Sequence, residues 1–186
     1  MFKKLAITAA AIALACSIAP ALAQSATSTL SVTASVAQRC SISTSAVAFG
    51  AYDPVGTHQA GGGGVDLNGT GAVSVTCTKN STGVTVTLGL GANASGSTRR
   101  MADAPPIADF LTYELYHPSA TTPAAVCTFP GTTVWGTSGA GIFTPTGVSN
   151  WGANSAKSFN VCGTVTKGQD VGADSYSDTV VATVNF

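Results

Sequence analysis

The chain has 186 residues, 45% of them hydrophobic and only 9% charged, with 21 glycines and 8 prolines. Eight basic residues balance eight acidic ones, so no basic surface is large enough to neutralise a run of phosphates, which argues against a nucleic-acid partner. Low hydrophobicity with high net charge, the mark of disorder, is absent, and the abundance of Ala, Gly, Ser, Thr and Val predicts strands and turns rather than helices.

Residues 1–23 read as a secretory signal peptide. Lys3 and Lys4 form its basic start, Leu5 to Ala19 its apolar stretch and Ala21-Leu22-Ala23 a small-x-small cleavage site. The apolar stretch is too short to favour a membrane-spanning helix, so no membrane span is expected in the mature chain. A lipidated Cys16 is the competing reading, but Ala13 stands where such signals usually carry Leu. Cleavage after Ala23 removes two lysines and leaves a weakly acidic, poorly charged chain of one-domain size.

Beyond residue 23, period-two alternation recurs. Leu30, Val32, Ala34 and Val36 alternate with Ser and Thr; next come Val73, Val75 and Cys77, then Val84, Val86, Leu88 and Leu90. Leu111, Tyr113 and Leu115 follow, then Phe159, Val161, Gly163 and Val165, and finally Val180, Ala182, Val184 and Phe186. Each set is expected to form the buried face of one strand. Turn chemistry fills the intervals at Gly61 to Gly64, Asn80 to Gly83, Ala92 to Ser97, Pro105-Pro106 and Gly136 to Asn154. About seven short strands separated by turns predict an antiparallel β-sandwich.

Four cysteines follow the signal, and export to an oxidising compartment would pair them. Their spacing is not that of a zinc site, and His58 and His117 lie far apart in sequence, so no metal is assigned. Cys77 shares a face with Val73 and Val75 and should meet Cys40 at the start of the first core strand. Cys162 falls on the opposite face from Phe159 and Val161, so its partner should approach from outside the core, as Cys127 in its Pro-flanked segment can. The expected bridges are Cys40 with Cys77 and Cys127 with Cys162, each contributing roughly 3–4 kcal/mol by loop-closure entropy.

Little catalytic chemistry is present. Gly136-Thr137-Ser138-Gly139 lacks the spacing of a nucleophile elbow, and Gly89 to Ala94 reads as a turn because no helix follows it. Arg99-Arg100 reads as a solvated pair on a Gly/Ser-rich turn rather than an anion grip. Trp135 and Trp151, each followed by glycine, are expected to pack in the core or a loop, with sugar stacking as the competing role. No catalytic residue and no cofactor is assigned.

The two ends carry more information. Residues 24–38 hold four alternating apolar side chains ahead of the first cysteine, outside the disulfide-bounded body, and such side chains need a groove to fill. At the other end the alternation runs to Phe186 with no turn after it, which suggests a sheet completed by β-strand addition.

These residues carry a family likeness. Tyr176 to Phe186 resembles the closing strand of the spore coat protein U domain and of Csu-type, archaic chaperone-usher pilins. Leu111 to Tyr116, Arg99-Arg100-Met101, Trp135-Gly136 and Gly163-Thr164-Val165 ahead of Gln169 resemble that domain in the same order. Cys127 and Cys162, and the Gly61 to Gly64 loop, depart from the pattern expected of every member. The resemblance implies an incomplete immunoglobulin-like β-sandwich over residues 39–186, completed by a donor strand from a neighbouring subunit. It implies a pilin with no enzymatic activity, whose partners are other pilin copies, a periplasmic chaperone and an outer-membrane usher. The location is then the periplasm followed by an extracellular pilus serving adhesion and biofilm formation. In that scheme Leu30, Val32, Ala34 and Val36 form the donor strand, and Val180, Ala182, Val184 and Phe186 belong to the strand beside the acceptor groove.

Two readings compete. An outer-membrane barrel strand also ends on Phe, but aromatic residues make up only 7% and no ladder of eight ten-residue strands appears. A self-contained secreted adhesin or carbohydrate-binding domain, with Trp135 and Trp151 near its site, would need its groove filled by its own strand.

Overall fold

A computed structural model describes residues 24–107, 109–148, 151–152 and 155–186; the expected signal peptide, residues 1–23, lies outside them. The chain divides into two units, residues 1–35 and 36–186. In the first, residues 24–35 carry no regular secondary structure and are exposed.

The second unit is all β apart from one 3₁₀ turn, with no α-helix among the described residues. Its strands are β1 (Cys40–Ser45), β2 (Leu67–Cys77), β3 (Thr85–Leu88), β4 (Arg99–Ala102), β5 (Phe110–His117), β6 (Thr133–Val134), β7 (Lys157–Val165) and β8 (Ala182–Asn185). The larger sheet is antiparallel throughout, in the order β1-β2-β7-β5-β4, with β6 also paired to β5. The second sheet contains β3 and β8, whose register sets Val86 opposite Val184.

Alternation explains which faces meet. Val73, Val75, Tyr113, Leu115, Phe159 and Val161 of the larger sheet form one buried cluster with Val86 and Leu88 of the smaller and with Val84 just ahead of β3. Trp135 and Phe143 fill the space between, with ring centroids 4.8 Å apart, and Phe143 meets Phe159 at 5.1 Å. The Trp135 indole N–H is satisfied by the Val86 carbonyl at 3.0 Å, so the ring is buried without an orphan donor.

Both expected disulfides are present. Cys40 and Cys77 are direct cross-strand partners of β1 and β2, with Cα atoms 4.1 Å apart. Cys127 joins Cys162 from the side of β7 away from the cluster. The chain around Cys127 is laid along β7 by bonds from the Ala124 amide to the Ser158 carbonyl and from the Asn160 side chain to the Ala125 carbonyl. Residues 161–165 of β7 are buried without a break, the outward-facing Cys162 and Thr164 included.

Two expectations are corrected. The alternating set at 30–36 is not a buried strand face within this chain: Leu30, Val32 and Val36 are 87%, 86% and 83% exposed. Arg99-Arg100 is not a solvated turn; it opens β4, and Arg99 is wholly buried on the face that carries Tyr113. The tryptophans pack in the core as expected: Trp135 and Trp151 are both buried, which leaves no ring exposed as a sugar-stacking platform.

Candidate functional site

The two sheets are both left with an unpaired strand edge. Among the described residues β1 pairs only with β2, and β8 only with β3. An apolar groove of about 310 Å³ runs between them. One wall is Thr44–Phe49, where the chain leaves β1; the other comprises Tyr176–Asp178, Val180 and Ala182, leading into β8. Val73, Leu88, Met101, Tyr113, Leu115 and Val161 line it between these walls.

Glycine positions the first wall. In β2 and β7, Gly69 stands opposite Gly163, with Gly71 two residues further along β2. A Cβ at Gly71 would lie 2.7 Å from both the Ser45 carbonyl oxygen and the Val47 side chain. A Cβ at Gly163 would meet Val47 and Phe49 at 2.7 Å. The missing side chains form a ledge on which Val47 and Phe49 cross the sheet, and Phe49 then rests edge-on against Tyr113 at 6.0 Å.

Polar contacts hold the second wall. Ser177 and Ala102 exchange backbone hydrogen bonds of 2.8 and 2.9 Å, tying this segment to β4. The Asp178 carboxylate accepts the Tyr113 hydroxyl at 2.7 Å and the Asn93 amide at 3.1 Å. Burial, reinforced by that carboxylate, holds the Tyr113 phenol well above its ordinary pKa, so it stays a donor. Gly91 lies at φ +98°, and a Cβ there would fall 1.9 Å from an Asp178 oxygen, so only glycine lets the loop approach.

Arg99 ties the sheets together behind this wall. Its guanidinium pairs with Glu114 and donates to the carbonyls of Gly89 at 2.7 Å and Trp135 at 2.6 Å. Arg100 instead lies over the Phe110 ring, 3.9 Å from its centroid, and donates to the Asn93 carbonyl at 3.0 Å. Neither arginine is arranged as an anion grip.

Val180 and Ala182 line the groove, as the alternation places them. Val184 lies further along β8, half-buried opposite Val86, and Phe186 is exposed. A larger cavity of about 710 Å³ shares Met101 and Tyr176 with the groove and extends between Gly50–Val55 and Val171–Tyr176. Sequence reading passed over Val47, Phe49 and Asp178. The Gly69-x-Gly71 pair inside a strand was the available signal, since strand glycines mark close approach of another backbone. His58 bonds through Nδ1 to the Val65 carbonyl at 2.8 Å and stacks on Tyr52, an anchor for the 53–65 loop. No group of three or more His, Cys, Asp or Glu among the described residues is placed to hold a metal ion.

The class defined by this fold is a disulfide-bonded, all-β domain with open strand edges. The spore coat protein U domain matches residues 26–183, and the chain belongs to that family, a structural coat family rather than an enzyme family. It is 43% identical to Protein U of Myxococcus xanthus over 191 residues, covering 97% of this chain and 95% of that protein. Among solved structures it is similar to a chain of the CsuC–CsuE chaperone–tip adhesion subunit pre-assembly complex from archaic chaperone-usher Csu pili of Acinetobacter baumannii. There the identity is 19% and the TM-score 0.46, over 81% of this chain and 40% of that one. No helix among the described residues is long and apolar enough to cross a membrane, and the two disulfides are consistent with export.

Proposed function

We propose that this protein is an exported structural subunit that polymerises by donor-strand exchange, residues 30–36 of one copy filling the groove of the next. The domain, residues 39–186, then acts as an immunoglobulin-like sandwich lacking one strand, and residues 24–38 act as the donor segment. The observation that carries this reading is an apolar groove flanked by two open strand edges in a chain that also exposes an alternating apolar segment. A strand laid along one of these open edges would pair with it and turn every second side chain into the groove. Burying Leu30, Val32 and Val36 contributes about 1.5–3 kcal/mol each, with Ala34 adding less. Val180, Ala182, Val184 and Phe186 belong to the strand beside the incoming one.

Head-to-tail addition does not close on itself, so the product is a filament. An open groove and unpaired edges are an aggregation hazard before assembly, which is the need a periplasmic chaperone and an outer-membrane usher would meet. The product is an extracellular pilus with an adhesive or biofilm role. A self-contained carbohydrate-binding domain loses its main support with the burial of both tryptophans.

Electron microscopy of cells with and without this protein tests the reading. Fibres present only with it are expected; identical surfaces would count against it. In solution the mature chain should self-associate when made alone and form a soluble one-to-one complex with its chaperone. A stable monomer that unfolds cooperatively would contradict the proposal.

A further inference from the structure

The root of the donor segment is held by contacts that the groove does not explain. The Thr78 hydroxyl accepts the Arg39 amide at 2.9 Å, and the Thr78 amide donates to the Arg39 carbonyl at 2.8 Å. One residue earlier, the Gln38 side chain donates to the Thr82 carbonyl at 2.9 Å and accepts the Thr82 amide at 3.5 Å, imitating a strand partner. The loop that receives them is itself closed. Ser81 bonds back to the Thr78 carbonyl through its amide at 3.1 Å and its hydroxyl at 2.7 Å, and Asn80 and Gly83 turn it with φ of 61° and 69°. The Cys40–Cys77 bridge fixes both strands immediately beyond.

We infer that Gln38, Thr78 and the Thr82 backbone form a rigid joint that sets the angle between successive subunits of the fibre. This rests on the donor-strand reading above. If Val36 is the last side chain in the neighbour's groove and Gln38 the first side chain held by its own domain, Ala37 alone separates the two, and its carbonyl accepts the Thr78 hydroxyl at 3.4 Å. A one-residue connection gives none of the slack of a flexible linker, whose reach grows as about 5–6 Å × √n. Each subunit therefore docks against its neighbour with the 78–83 loop at the contact, and bending requires the joint to open.

Two measurements decide it, both on the full mature chain. In the first, amide hydrogen exchange on the chaperone-bound subunit, before assembly, is expected to show Arg39 and Thr82 protected while residues 25–35 exchange freely; equal exchange rates would overturn the joint. In the second, fibres of the parent and of the double variant Thr78→Val, Gln38→Ala are compared by electron microscopy. The variant fibres should have a persistence length at least about twofold shorter and a broader spread of angles between subunits. Fibres of unchanged stiffness would overturn the joint alone and leave donor-strand exchange standing. A parent chain that forms no fibres would overturn both.

Discussion

In an extended segment adjacent side chains point to opposite faces, so Val32 and Thr33 make a sensitive pair. Under the proposed mechanism Val32→Asp carries an unpaired carboxylate into an apolar groove at a cost of several kcal/mol, while Thr33→Asp keeps its charge in water. The Val32→Asp subunit should still fold on its chaperone, because its own groove is intact, yet fail to complete a neighbour. Fibre length measured for both variants checks this: short or absent fibres with Val32→Asp, near-normal fibres with Thr33→Asp. Tyr113 gives a second test at the same scale. Its folded-state pKa is raised, so its contribution to stability is complete below its unfolded value near 10 and is lost as pH rises beyond it. Tyr113→Phe should cost about 1.5–3 kcal/mol at neutral pH, since Asp178 loses a charged-acceptor hydrogen bond. The same change should flatten the alkaline loss of stability, measured by denaturant unfolding at pH 7 and pH 11.

Among the elements, β2, β3, β5, β7 and β8 were legible because each alternates over at least two apolar positions on a half-buried ladder. The disulfide pairing was legible for the same reason, parity placing Cys77 inward and Cys162 outward. β4 was not, since its inward residue at the start is an arginine, and buried charge is recognisable only once Glu114 and the carbonyls of Gly89 and Trp135 are seen around it. The wall at 44–49 was missed because its apolar residues rest on absent side chains, a contact that hydrophobic patterning does not register. Arg99→Ala would leave Glu114 without its counter-charge and those carbonyls without a donor, so a loss of about 3–5 kcal/mol is expected in equilibrium unfolding. Replacing Cys127 and Cys162 together by Ala should cost about 2–5 kcal/mol and detach the segment over β7, read as loss of protection at the Ala124 amide.

For the whole molecule, the likeness to spore coat protein U was legible from the closing strand, and the match over residues 26–183 bears it out. The ends were legible only as a pattern without a partner, because under the proposed mechanism the donor segment satisfies its apolar face in another copy. Donor-strand exchange requires residues 30–36 to enter the groove of a different chain. A photo-activatable cross-linker at position 32, in polymers grown from a mixture of isotopically heavy and light chains, measures this directly. Cross-links are expected from position 32 to groove residues such as Val73, Val161 and Val180, with heavy–light pairs present in the proportion expected for contacts between copies. Cross-links confined to heavy–heavy and light–light pairs, or scattered over surfaces away from the groove, would contradict it.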